Sequence, residues 1–318
     1  MRTHFLALLV AAVGCLFGCS ESESSAGSKK VIGISIMTSE NPFFVQLANA
    51  AKEEAAKHGF QVEIVSGDKK AETQARQVQD FIAKKVNAIL LTPCNAQLVG
   101  APIKNANKAG IPVFTADTGC LDKDAKVVSH VATDNYAGGK QAGEAMIEAL
   151  GGKGGKILIL SFDVAQSCLA RVRGFREVID AHNNANTGAR IEIVAELPGE
   201  ASREPSSRAT ADTLEKNGDL VGVFAINDPS ALGAVAAIES AGKQDQIAVI
   251  GFDGQPIGKQ AIKEGKIYAD PIQFPKKMGR MIVQQMVKYF AGEAPQEQIP
   301  IPTSLYRKAD ADKDPELK

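Results

Sequence analysis

From residue 31 to residue 290 the chain alternates short apolar runs with amphipathic stretches of helical period. That rhythm constrains the fold more than any other feature. An apolar run too short for a helix, then a helical stretch, then another such run, makes a β-α-β unit. Repeated units build parallel sheets with helices on both faces. Strands are predicted at 31–36, 60–65, 88–91, 111–115 and 127–131, then at 156–160, 191–195, 221–226, 247–252 and 267–272. Helices are predicted at 44–58, 73–84, 96–108, 136–150, 171–181, 206–216, 229–241, 256–264 and 275–290. The runs at 88–91 and 221–226 are apolar throughout, as in strands covered on both faces. These are more strands than one doubly wound sheet uses, and 318 residues suit two lobes. The predicted fold is therefore α/β, with two doubly wound parallel-sheet lobes.

The N-terminus stands apart from this pattern. Arg2 precedes an apolar run at 5–17 that is too short to span a bilayer comfortably. The run ends in Leu16-Phe17-Gly18-Cys19, which resembles the bacterial lipobox. Residues 1–19 are read as a lipoprotein signal peptide with Cys19 lipidated, and 20–29 as a polar tether. Cys15 is a weaker competitor, and a plain cleaved signal is the alternative. Either reading places the protein outside the cytoplasm, periplasmic or otherwise extracytoplasmic; the lipid would anchor it to the membrane.

Several function classes are disfavoured by composition. A net charge of −1 gives no electrostatic reason to expect a nucleic-acid partner. His4, His58, His130 and His182 are scattered singly, so no metal is expected. The glycine-rich stretch 151–156 precedes a strand and lacks a Ser or Thr after its Lys, which makes it a turn and not a phosphate cradle. No Ser-His-Asp or Cys-His set is supported, so neither an enzyme nor a cofactor is expected. Cys94, Cys120 and Cys168 are odd in number, which leaves at least one thiol unpaired within a monomer.

In open parallel sheets, ligands bind outside the carboxyl ends of the strands. Asn41, Phe43 and Phe44 follow the first predicted strand, and Asp117 follows 111–115. Arg171 opens the helix after 156–160, Asn227 follows 221–226, Phe252 and Asp253 end 247–252, and Gln273 ends 267–272. One polar residue after a strand is usually a cap or a turn. Six at equivalent places are harder to dismiss. Asp, Asn, Gln and Arg make paired hydrogen bonds to adjacent hydroxyls, and a Phe ring covers the C–H face of a sugar. With 13 Phe, 4 Tyr and no Trp, such a wall must be mostly Phe.

The motifs Asn41-Pro42-Phe43-Phe44-Val45, 128–135, Asn227-Asp228 before Ala231-Leu232-Gly233-Ala234, and Gly251-Phe252-Asp253-Gly254 occur in this order. On these residues the chain, from about 30 to 305, resembles the ribose-type periplasmic sugar-binding proteins of ABC importers. These share their fold with the ligand domain of LacI-type repressors. The resemblance implies that Asn41, Asp117, Arg171, Asn227, Asp253 and Gln273 bond sugar hydroxyls, and that Phe43, Phe44 and Phe252 pack on the ring. It implies crossings near Thr133, Gln273 and Pro300. The lobes are then 30–133 plus 274–300 and 134–273 plus 301–307, with a charged, solvated tail at 308–318. Two departures put ribose itself in doubt: Thr118 stands where the ribose proteins have a second Arg, and Ala201 where they have a Phe. Thr118 is still counted with the site. Arg173 is read as a surface residue, and Asp134 and Asp228 as supports. The implied partners are a small sugar-like ligand and an importer permease, with the chain a monomer. A sensory protein presenting its sugar to a membrane receptor remains the alternative.

Overall fold

The apolar runs assemble into two six-stranded sheets in a computed structural model that describes residue 1 and residues 29–317. The predicted signal segment, Cys19 and nearly all of the tether lie outside the described residues. The first sheet has the order β11-β5-β4-β3-β1-β2, from β1 (Val31–Ile36), β2 (Gln61–Ser66), β3 (Ala88–Leu91), β4 (Val113–Ala116), β5 (Ser129–Thr133) and β11 (Gln298–Ile301). The second repeats it as β12-β10-β9-β8-β6-β7, from β6 (Gly155–Ser161), β7 (Ile191–Pro198), β8 (Leu220–Ala225), β9 (Ala248–Ile250), β10 (Ala269–Pro271) and β12 (Leu305–Arg307). All pairings are parallel except β10 with β12. The chain passes between the sheets after β5, after β10 and after β11.

The helices are α1 (Pro42–Lys57), α2 (Ala71–Ala83), α3 (Gly100–Lys108), α4 (Asn135–Ala149), α5 (Gln166–Ala185), α6 (Arg203–Lys216), α7 (Asp228–Ser240), α8 (Pro256–Lys263), α9 (Pro275–Phe290) and the single turn α10 (Lys308–Ala311). Close helix pairs rest on glycines. A Cβ on Gly139 of α4 would lie 2.1 Å from the Arg171 carbonyl oxygen, and one on Gly174 of α5 would lie 2.2 Å from that of Tyr136. Helix α5 is thus held backbone to backbone against α4. Its Phe175 stacks on Phe224 of β8 at 4.3 Å, a contact of about 0.5–1.5 kcal/mol beyond area burial.

Three expectations are corrected. Arg171 does not open its helix: α5 starts at Gln166, behind an Ala165 cap with no side-chain hydrogen bond, so the sequence carries no start signal. The helix predicted from residue 96 begins at Gly100, because Asn95 Oδ1 accepts from the N–H groups of Gln97 and Leu98 and turns the chain first. The tail is not a solvated end. Ala311 is fully buried, Asp314 accepts from Tyr306 Oη at 2.8 Å and Lys259 Nζ at 2.9 Å, and Lys263 Nζ donates to the Leu317 carbonyl.

Candidate functional site

The carboxyl ends of the two sheets face each other across a narrow cavity. Three hydrogen bonds close the lobes over it. Ala96 N–H donates to the Val164 carbonyl at 2.9 Å, Thr118 Oγ1 and Ser167 Oγ lie 3.1 Å apart, and Lys69 Nζ donates to Ser202 Oγ at 2.5 Å.

Nine of the ten predicted ligand residues line this cavity: Asn41, Phe43, Phe44, Asp117, Thr118, Arg171, Asn227, Asp253 and Gln273. Phe252 does not. It is fully buried behind the wall, with the Arg171 guanidinium 3.9 Å over its ring, so it supports Arg171 instead of facing the cavity. Met37, Thr38, Lys69, Phe162, Ala165, Ser167, Cys168 and Ala201 line the cavity without having been predicted as contacts. Phe162 directly follows the end of β6, where the strand-end rule applied to every strand would have found it, whereas Lys69 lies three residues past the end of β2.

Arg171, 3% exposed, is the hub of the second lobe. Its Nε donates to Asn135 Oδ1 at 2.8 Å, and its Nη1 to the Ile226 carbonyl at 2.6 Å and to Asp253 Oδ1 at 3.0 Å. Among the described residues Nη2 has no such partner. Gln273 Nε2 donates to the same Asp253 oxygen at 2.6 Å, while its Oε1 accepts from Thr133 Oγ1 at 2.7 Å. One chain of hydrogen bonds therefore runs from the crossing at Thr133 through Gln273 and Asp253 to Arg171. Burial pushes Asp253 above the usual carboxylate range, with Arg171 opposing the shift.

Asp117 faces this group from the first lobe. Burial raises it to about 6, against the pull of Arg171. Its carboxylate accepts from Thr118 Oγ1, its single partner among the described residues, so it keeps acceptor capacity for a ligand. Asp117 and Asp253 have φ of 64° and 103°, strained conformations for residues with a Cβ. Asn41 and Asn227 are both N-caps. Each uses Oδ1 on its helix, accepting from Phe43 N–H and Ser230 N–H, which fixes the amide; Asn41 Nδ2 is left as a donor, while Asn227 Nδ2 gives one hydrogen to the Ala201 carbonyl at 3.3 Å and keeps the other. Phe43 and Phe44 meet edge to face at 5.1 Å.

Supports lie outside the wall. Asp134 caps α4 through Ala137 N–H, and Arg173 is exposed over the Tyr136 ring. Asp228 and Asp270 are fully buried side by side. Burial and the Asp270 charge hold Asp228 well above its usual range. Cys94, Cys120 and Cys168 are all free, and burial pushes the Cys94 and Cys168 thiols up to about 12. A larger and more open hollow lies beside the crossings, but its Asp122, Lys123 and Arg173 are partly or fully exposed. Its His130, bonded to Thr115 and pushed down to about 4 by burial, is neutral. Buried charge converges on the smaller cavity.

Comparison with known proteins agrees with this architecture. A family model described as a periplasmic binding protein domain matches residues 32–294. A ribose import binding protein of Salmonella typhimurium is 35% identical over 307 residues, covering 96% of this chain and 99% of that one. A solute-binding protein of an ABC transporter from Bacillus halodurans, solved with bound myo-inositol, superposes with a TM-score of 0.81 at 28% identity, covering 90% of this chain and 96% of that one. Another from Actinobacillus succinogenes, solved with bound D-allose, gives 0.81 at 26%, covering 90% and 100%.

Proposed function

We propose, from the premise that this chain belongs to the periplasmic binding protein family, that it captures a monosaccharide or related polyol outside the cytoplasm and delivers it to an ABC importer. The observation that carries this reading is the convergence of Asn41 and Asp117 from one lobe with Arg171, Asn227 and Asp253 from the other on one buried cavity. The open valences there, on the Asp117 carboxylate, Arg171 Nη2 and the Nδ2 of Asn41, are acceptors and donors that sugar hydroxyls can satisfy. Ribose is the import substrate in the name of the Salmonella relative, and myo-inositol and D-allose occupy the two solved neighbours. The reading is one of binding and not catalysis.

The mechanism follows from the two lobes. A sugar entering the open form meets one lobe, and closure adds the contacts of the other. Because the closed form binds more tightly, the sugar shifts the population toward it, and a permease can tell the two apart. A thermal-shift screen of monosaccharides and polyols tests the reading. A bound solute at 100 times its dissociation constant adds about 2.7 kcal/mol of stability. No shift with any of them, or a new product in the mixture, would count against it.

The charge on Asp117 gives a pH dependence. A hydroxyl donates a stronger hydrogen bond to the carboxylate than to the acid, so sugar binding favours the ionised form. Affinity is expected to hold above the value of about 6 and to fall as pH drops through it. Calorimetry across that range checks this, and Asp117→Asn should flatten the profile.

We also propose that Cys19 is the acylated residue, so that the monomer is tethered to the membrane. Among the described residues no helix is long and apolar enough to cross a membrane. Cys19→Ser is expected to abolish acylation and release the protein from the membrane fraction. Lipidation that survives Cys19→Ser but not Cys15→Ser would move the anchor to Cys15.

A further inference from the structure

The loops that follow β2 and β7 hold equivalent places in the two sheets, and they bend in the same way. Asp68 and Lys69 have φ of 51° and 59°; Glu200 and Ala201 have φ of 51° and 49°. None is glycine, the residue that adopts this left-handed conformation without steric cost. Such strain persists where surrounding contacts over-determine it, and it clusters at ligand clamps. Here both loops are tied to the end of the neighbouring strand. Gly67 N–H donates to the Ile36 carbonyl at 2.8 Å, and Gly199 N–H to the Ser161 carbonyl at 3.0 Å. Lys69 N–H is further fixed on the Met37 carbonyl at 2.8 Å.

The bends bring Lys69 and Ala201 into the cavity wall. Lys69 Nζ meets Ser202 Oγ across the cleft at 2.5 Å, and its nearest carboxylate, Glu40 at 3.8 Å, is largely exposed. The other ionic groups of the wall are Asp117, Asp253 and Arg171. Lys69 brings that set to two carboxylates and two cations, a balance that suits an uncharged solute. Ala201 presents only a methyl group, one of the smallest side chains of the wall.

Resting on the sugar-binding reading above, we propose that Lys69 and Ala201 form a specificity subsite for the far end of an uncharged six-carbon sugar or cyclitol. On binding, the Lys69 ammonium exchanges Ser202 Oγ for a solute oxygen lying beyond the part gripped by Arg171 and Asp253. A five-carbon sugar does not reach it, and an acid sugar upsets the charge balance.

Calorimetry with D-allose, myo-inositol, D-ribose and D-glucuronate tests this. The wild-type protein is expected to bind D-allose or myo-inositol about tenfold or more tighter than D-ribose and D-glucuronate. Lys69→Met keeps the stem and removes the charge; it should lose about tenfold for the preferred solute and clearly less for D-ribose, whose complex loses only the bond to Ser202. Ser202→Ala frees the ammonium and should keep or improve affinity. Ala201→Phe should weaken the preferred solute and spare D-ribose. Unchanged binding of every solute by Lys69→Met would overturn the subsite. So would equal losses in Lys69→Met and Ser202→Ala, which would make their bond a simple latch. Tight binding of D-ribose alone, abolished by Arg171→Ala, would sustain the sugar-binding reading and overturn this inference; no sugar bound by folded wild-type protein would overturn both.

Discussion

Arg171→Ala is expected to fold and to lose about 2–5 kcal/mol of sugar affinity, a rise in dissociation constant of roughly 30-fold to several thousand-fold. The size follows from what is left behind. Arg171 is 3% exposed and is the cation bonded to Asp253, itself 5% exposed. Without the guanidinium, Asp253 keeps its donors from Gln273 and Gln255 but loses its countercharge while almost fully buried. Burial already raises that carboxyl, so it would take up a proton and exchange an acceptor for a donor. Arg171→Lys should recover little, because one ammonium cannot serve Asn135, Ile226 and Asp253 from the same position. Calorimetry on protein with a wild-type circular dichroism spectrum is the measurement. Wild-type affinity there would remove Arg171 from the site.

Gly139→Ala carries the second large effect. The new methyl would stand 2.1 Å from the Arg171 carbonyl oxygen, and a backbone atom cannot rotate aside. Helices α4 and α5 must separate. Overpacking of this kind costs about 1–3 kcal/mol, a fall of several degrees in Tm. Because the struck carbonyl belongs to Arg171, sugar affinity should fall with stability. Gly188→Ala is the control: its Cβ would meet nothing within 4 Å, and its φ is not positive. Equal melting of the two variants would show that the α4–α5 approach tolerates a methyl group.

Most of this architecture was legible in the chain because buried parallel strands are written as uninterrupted apolar runs. The strand-end rule then located most of the cavity wall, since its polar residues follow those runs directly. What escaped had weak local signals. β11 and β12 are edge strands of four and three residues, and β11 contains Pro300, which reads as a break. The final helical turn, α10, buries a single alanine in a charged stretch. Phe252 shows the limit of the rule. It sits at a strand end like its neighbour Asp253, but facing the ligand and backing a guanidinium are alternatives that period and position do not separate. Lys69 was missed for a related reason. Two consecutive non-glycine residues in the left-handed region have no sequence signature, so nothing local announced that the loop after β2 turns into the cavity.

Capture as proposed rests on one sugar held between the lobes by charged groups from both. A crystal structure of the wild-type protein with the solute selected by the screen tests it most directly. One sugar is expected in the cavity, bonded to Asp117 from the first lobe and to Arg171 and Asp253 from the second, with Phe252 behind Arg171 and out of contact. A sugar seated instead in the hollow beside Thr115 and His130, or touching one lobe alone in a closed molecule, would contradict it.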